Sequence, residues 1–188
     1  MKRLTLLCLF LFAGVLGSHA QTATLTIELP GNKELQTVVI ELYSNDAPQT
    51  VANFTELARR KFYRKQTFHR ALPGKLVQTG DPGSRKKNPK TALGTGGPGY
   101  TIPAEIKRKV ERGSVATGRL GNTINPNKAS NGSQFFIALD SLPTLSGEYT
   151  VFGKVVSGLE VLETISKTET DSNGAPISRI TIRSLTVE

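Results

Sequence analysis

The sequence predicts a mainly β fold, a barrel of short strands with two α-helices covering its open ends. Three observations carry this expectation. Several segments alternate apolar and polar residues with a period of two, only two isolated stretches have helical spacing, and long Gly-, Pro- and Asn-rich connections separate the short middle strands.

"TATLTIEL" (22–29) puts Ala23, Leu25, Ile27 and Leu29 on one side and Thr22, Thr24, Thr26 and Glu28 on the other, as a half-buried strand requires. "GNK" turns the chain, and Val38, Ile40 and Leu42 repeat the pattern over 37–43, so the two segments form an opening hairpin. "NDAPQTVANFTELARRKFY" changes period. Pro48 marks a helix start, and Val51, Phe54, Leu57 and Ala58 follow helical spacing. From Phe68 to Leu145 short strands alternate with loops, notably 82–99 and 121–132, and loops of that length commonly surround a site. "YTVFGKV" (149–155) is a further strand. "SGLEVLETISK" (157–167) is a second helix, with Leu159, Leu162 and Ile165 apolar and Ser157 and Glu160 at capping-box spacing. "SRITIRSLTVE" closes the chain, Ile180 and Ile182 alternating against Arg179, Thr181 and Arg183.

Residues 1–20 have the pattern of an export signal: Lys2 and Arg3, an apolar run from Leu4 to Leu16, and a small-residue exit at Ser18, His19 and Ala20. That run, about thirteen residues, is short of the roughly 20 that a membrane helix needs. The expected organisation is a signal peptide over 1–20 and one domain over 21–188, exported to a periplasm or secreted, with no stable membrane insertion once the signal is removed. Cys8 is the only cysteine and lies in the leader, so the mature chain has neither disulfide nor thiol nucleophile and depends on its core. Removing Lys2 and Arg3 lowers the formal charge from +9 to +7. Arg59, Arg60, Lys61, Arg64 and Lys65 gather at the end of the first predicted helix, where cations favour the macrodipole, and Arg85, Lys86, Lys87 and Lys90 sit in a loop. Apart from Phe62 and Tyr63 no aromatic residue falls among these runs, which is not the interleaving that a single-strand stacking platform requires, and this argues for a solvated face and against nucleic acid as a partner.

Most chemistry-bearing patterns fail on context. "GTGGPG" (94–99) spells G-x-G-x-x-G but neither follows a strand nor opens a helix, so its glycines serve a tightly turning loop. One mature histidine and no cysteine argue against a metal, and no cofactor is implied. Serine hydrolysis would need His69 beside Ser114, Ser130 or Ser133, and "SNGSQ" has no nucleophile-elbow pattern. Acid–base work by His69 alone stays open. "NGSQFFIAL" (131–139) is more informative. As a strand it turns Phe135, Ile137 and Leu139 to a core and Gln134, Phe136 and Ala138 outwards, while in "KLVQ" Leu76 and Gln78 share a face. Phe, Leu and Gln with Arg70 nearby make a shallow apolar groove with a few polar groups, suited to an extended peptide.

"FHRALPGKLVQTGDP", "GTGGPGYTIPAE", "GSQFFIAL" and "VFGKV", in this order and joined by "APQTVANF" in the first helix, resemble the cyclophilin family of peptidyl-prolyl cis-trans isomerases, in an exported, bacterial-like form. The resemblance implies an eight-stranded antiparallel closed barrel capped by two α-helices, with the active groove on its outer surface. By similarity Arg70 donates to the prolyl nitrogen of a twisted peptide bond and Gln78 orients the substrate and Arg70. Leu76, Phe136 and Leu145 form the proline pocket, His69 and Tyr149 line the groove, and the main chain at Gly118 and Arg119 pairs with the extended substrate. The expected partners are proline-containing polypeptides, unfolded or newly exported, met by a monomer.

Two positions depart from many relatives. Lys75 stands where many have Phe, which alters one apolar wall, although a lysine stem can still cover apolar surface. Thr144 stands where many have Trp, which implies weak cyclosporin binding. The loop "GNTINPNKAS" is longer than in compact members. Rival readings are a proline-peptide binding module or chaperone with reduced catalysis, and a basic surface-interaction protein with steeply salt-dependent binding and no role for Arg70.

Overall fold

β1 (Thr22–Glu28) and β2 (Gln36–Leu42) pair as the antiparallel hairpin that their alternation predicts, with Ala23, Leu25, Ile27, Val38, Ile40 and Leu42 all buried. They belong to a computed structural model that describes residues 21–88 and 92–188. The predicted leader and Lys90 lie outside the described residues, in which no helix is long and apolar enough to cross a membrane. Six further strands complete one sheet: β3 (Arg70–Leu72), β4 (Leu76–Thr79), β5 (Ser114–Thr117), β6 (Phe135–Ala138), β7 (Val151–Ser157) and β8 (Thr181–Val187). All the pairings are antiparallel, in the order β3-β4-β6-β5-β7-β2-β1-β8.

The predicted closure is incomplete. β3 and β8 are the ends of the sheet, and among the described residues they meet through those before β3, at the Thr67–Thr181 bridge and the main-chain bonds of Lys65, Gln66 and Phe68 with Ile180 and Ile182. The result is a curled half-barrel. Beyond Ile182 the last strand parts from this segment, because residues 60–65 turn into it from the first helix. A register shift between Thr26 and Ile27 leaves Arg183 unmatched on β8 and turns Leu185 inwards, where unbroken alternation would have placed Ser184.

α1 (Pro48–Arg59) starts at the proline, as expected, and buries Val51, Phe54, Leu57 and Ala58. Its first N–H groups are capped from a distance: the Glu105 carboxylate accepts from Gln49 N (3.0 Å) and Thr50 N (2.8 Å), placing negative charge at the positive end of the helix. Phe54 enters an aromatic cluster with Tyr63, Phe135 and Phe152 at ring separations of 5.1–5.6 Å. α2 (Leu159–Ser166) buries Leu162 and Ile165. The predicted capping box is absent. Ser157 is still the last residue of β7, and the cap position is Gly158, whose φ of 82° and approach to Thr37 O exclude any side chain.

The sheet has two apolar faces. The inner one holds the main core, including Phe135, Ile137 and Leu139; the outer one holds a second cluster of Leu76, Val110, Ala116, Phe136, Ala138 and Val151. This division between odd and even residues of β6 follows the alternation read from "SQFFIAL". Phe136 is nevertheless not solvent-facing as a bare strand pattern implies. It is 4 % exposed because Tyr149 packs edge-on against it at 5.3 Å, with Leu142 and Leu145 beside it.

Candidate active site

Four strands place one row of side chains across the outer face. Arg70 on β3 lies opposite Gln78 on β4, Gln78 opposite Phe136 on β6, and Phe136 opposite Ala116 on β5. Directly paired residues share a face, so a guanidinium, an amide, an aromatic ring and a methyl stand side by side at about 5 Å per strand. The register of β3 and β4 is set by the Pro73-Gly74 turn, closed by Lys75 N donating to Leu72 O at 3.0 Å.

This row floors an open cleft of about 970 Å³. All nine residues expected at the site line it: His69, Arg70, Leu76, Gln78, Gly118, Arg119, Phe136, Leu145 and Tyr149. Lys75 and Thr144 line it too, both exposed, and residues 92–95 of the Gly-rich loop form another side. Arg70 is exposed and its side chain makes no hydrogen bond or ion pair among the described residues, so its five donors remain available to a ligand. Gln78 is held: its Nε2 donates to Gln134 Oε1 at 2.9 Å, and Gln134 Nε2 in turn donates to Gly96 O at 2.7 Å.

Three positions differ in detail from expectation. His69 is 6 % exposed, and neither ring nitrogen has a hydrogen-bond partner among the described residues, since neighbouring Gln134 is committed to Gln78 and Gly96. Burial lowers its pKa to about 4, with the Asp81 charge opposing and Arg70 adding to the shift. His69 is therefore neutral at pH 6–8. The Arg119 side chain is only 4 % exposed: Nη2 pairs with Glu148 Oε2 at 2.8 Å, Nε donates to Glu148 O at 2.7 Å, and the guanidinium lies 4.7 Å from the Tyr149 ring centroid. Gly118 N already donates to Gln134 O and Gly118 O accepts from Asn131 N, which leaves Arg119 as the neighbouring main chain without such bonds.

Sequence reasoning missed the residues that shape the cleft from behind. Asp81, 1 % exposed, accepts from Gly83 N at 2.7 Å through Oδ1, and from Gly94 N at 2.7 Å and Gly96 N at 3.0 Å through Oδ2. It ties the Gly-rich loop to the end of β4. A side chain at Gly96 would collide with the Asp81 carboxylate, so the run "GTGG" is written for this contact. Glu148 gathers Arg119, Lys128 (2.7 Å) and Asn122 (3.3 Å), pinning the long 121–130 loop beside Tyr149. Glu148 is held below the usual carboxylate range by the Lys128 and Asn122 hydrogen bonds. The "DP" after β4 and the acid in "SGEYT" were the available signals, but nothing local says what they bind.

The His69 environment has a measurable consequence. Its folded pKa lies below the unfolded value of about 6.5, so the unfolded chain binds the extra proton; His69 favours folding above pH 6.5, and this contribution is lost as pH falls towards 4. The denaturant-derived stability of the wild type should fall over that window by up to about 3 kcal/mol more than that of His69→Leu. Parallel curves for the two proteins would contradict the burial argument.

Comparison with known proteins agrees over almost the whole domain. Residues 25–187 match the family model described as cyclophilin type peptidyl-prolyl cis-trans isomerase/CLD. Peptidyl-prolyl cis-trans isomerase B of Bacillus subtilis is 43% identical over 139 residues, covering 72% of this chain and 85% of its own. The Helicobacter pylori peptidyl-prolyl cis-trans isomerase is 40% identical over 154 residues, 79% of this chain and 83% of its own. A crystal structure of a Cryptosporidium parvum cyclophilin type peptidyl-prolyl cis-trans isomerase superposes with a TM-score of 0.77 at 30% identity, covering 90% of this chain and 98% of that one. A second structure, of the same parasite protein in the presence of the dipeptide Ala-Pro, superposes with a TM-score of 0.74 at 29% identity, covering 89% and 98%.

Proposed function

The chain belongs to the cyclophilin-type peptidyl-prolyl cis-trans isomerases and is such an isomerase, and from that premise we propose that it turns X-Pro bonds of unfolded or newly exported polypeptides over the Arg70–Gln78–Phe136 row. One observation carries the assignment of the site: a guanidinium without a partner among the described residues stands two strands from an apolar floor in one open cleft.

Rotation about X-Pro crosses a barrier near 18–20 kcal/mol and breaks no covalent bond, so it needs no nucleophile and no cofactor. Halfway round, amide resonance is lost, and the prolyl nitrogen carries a localised lone pair. Arg70 donates to that nitrogen and engages the proline carbonyl, while Gln78, oriented by Gln134, holds the substrate backbone. Leu76, Phe136 and Leu145 receive the proline ring; His69, neutral, and Tyr149 wall the groove. Arg119 offers its main chain to the extended substrate, and its side chain steadies Tyr149. An acceleration of ~10⁵ requires about 7 kcal/mol of preference for the twisted state, within reach of preorganised donors. The enzyme works as an exported monomer in a periplasm or outside the cell. The basic start and apolar run of residues 1–20 and the thiol-free mature chain support that placement.

Exchange NMR on a blocked Ala-Pro peptide tests this reading. Substoichiometric protein should give cis–trans exchange within seconds, against tens of seconds or more without it. Peptide bound at the Phe136 face with no exchange would instead favour the binding-module reading, which Lys75 and Thr144 motivate. At Lys75 the cleft rim carries a cation, so acidic neighbours of the proline are favoured. Lys75→Phe should raise kcat/KM for apolar X-Pro peptides about three- to tenfold relative to acidic ones, and an unchanged ranking refutes it. Thr144 presents no indole to cyclosporin; calorimetry should find weak binding that Thr144→Trp strengthens at least about tenfold, whereas a tight wild-type complex counts against it.

A further inference from the structure

The half-open barrel leaves a second cleft, which shares no lining residue with the groove. Between α1 and the outer half of β8 lies a cleft of about 430 Å³, floored by Ala58, Leu185 and Val187. Its long side is an unpaired strand edge. Thr22 and Glu188 exchange both main-chain bonds (3.0 and 2.9 Å), so by antiparallel alternation Val187 and Leu185, opposite Ala23 and Leu25, point their N–H and C=O groups away from β1. Neither residue has a main-chain partner on that side among the described residues.

The rim is cationic. Arg59 and Arg183 are paired with Glu56 and Glu28, but Lys61 and Arg64 have no ion pair among the described residues, and Lys65 adjoins them. The backbone reinforces the point. α1 ends in a Schellman motif, with Lys61 N donating to Ala58 O at 2.8 Å and Phe62 N to Leu57 O at 2.9 Å, and its left-handed position is Lys61, with φ 57°. Glycine is the residue favoured there, and this chain has a cation in its place.

We propose that this edge binds a short, extended acidic polypeptide segment by strand addition, its backbone bonding to Leu185 and Val187, an apolar side chain on the Ala58 floor, and its carboxylates on Lys61 and Arg64. Free main-chain donors and acceptors point to a polypeptide. The cations select its charge, and they also oppose pairing with a second copy, which would bring the same rims together.

The test is amide hydrogen exchange of the labelled protein with a blocked hexapeptide alternating Glu and Val, compared with its Lys–Val counterpart. The acidic peptide should slow exchange at Leu185 and Val187 at least about tenfold, and the basic one should not. Lys61→Gly, which relieves the left-handed strain and is expected to be more stable, should weaken this protection about fivefold together with Arg64→Ala, and Ala-Pro isomerisation should be unchanged in both. No protection by the acidic peptide, equal protection by the basic one, a β8-mediated dimer, or perturbation of these amides by phosphatidylglycerol vesicles but not by peptide would each overturn the proposal.

Discussion

Arg70→Ala should lower kcat/KM for Ala-Pro isomerisation by about 100- to 1000-fold, the scale of removing one preorganised donor from a transition-state site. Its stability should stay within about 0.5 kcal/mol of wild type, because Arg70 is exposed and its side chain makes no hydrogen bond or ion pair among the described residues. That separation makes the variant diagnostic: loss of activity cannot be assigned to loss of fold. Arg70→Lys keeps the charge but not the planar fork, so it should recover only a small part of the rate. If the guanidinium acted mainly by binding ground-state substrate, KM would rise with kcat unchanged; the twisted-imide role requires kcat to fall. A protease-coupled assay at several peptide concentrations distinguishes these outcomes, and equal rates for Arg70→Ala and wild type would remove Arg70 from the mechanism.

Asp81→Asn should be the most damaging conservative substitution near the site. The carboxylate satisfies three half-buried N–H groups with two oxygens, whereas an amide keeps one acceptor and turns an NH2 towards the others. At least one half-buried backbone donor is then left unpaired, and about 1–2 kcal/mol of stability should be lost. The Gly94–Gly96 segment is released from the end of β4, and with it Gly96 O, the acceptor that orients Gln134 and through it Gln78. KM should therefore rise several-fold. Chemical denaturation and steady-state kinetics measure the two effects; a variant as stable as wild type would show that the loop is anchored elsewhere.

Period-two alternation sorted β1, β2 and β6 correctly into inward and outward residues, because burial of a strand is decided at every second position and is written locally. Pro48 and the spacing Val51–Phe54–Leu57–Ala58 did the same for α1. The ordered motifs from "FHRALPGKLVQTGDP" to "VFGKV" pointed to nine of the residues that line the cleft. Where two local patterns competed, the sequence misled. Ser157 and Glu160 have capping-box spacing, but β7 pairs through Ser157 and only Gly158 fits the close pass beneath Thr37.

Legible in the chain alone, then, were its element types, the side each apolar residue takes and the Arg70–Gln78–Phe136 row that floors the cleft. Tertiary structure decided which polar groups hold that row in place: Gln134 behind Gln78 across 56 residues, Asp81 beneath Gly94 across 13, Glu148 on Arg119 across 29. It also decided that the barrel stays half open at β8. The physical reason is range. Hydrophobic periodicity repeats within each element and reports its own burial, whereas a buried hydrogen bond depends on one donor meeting one acceptor from a distant segment, and no local pattern records that meeting.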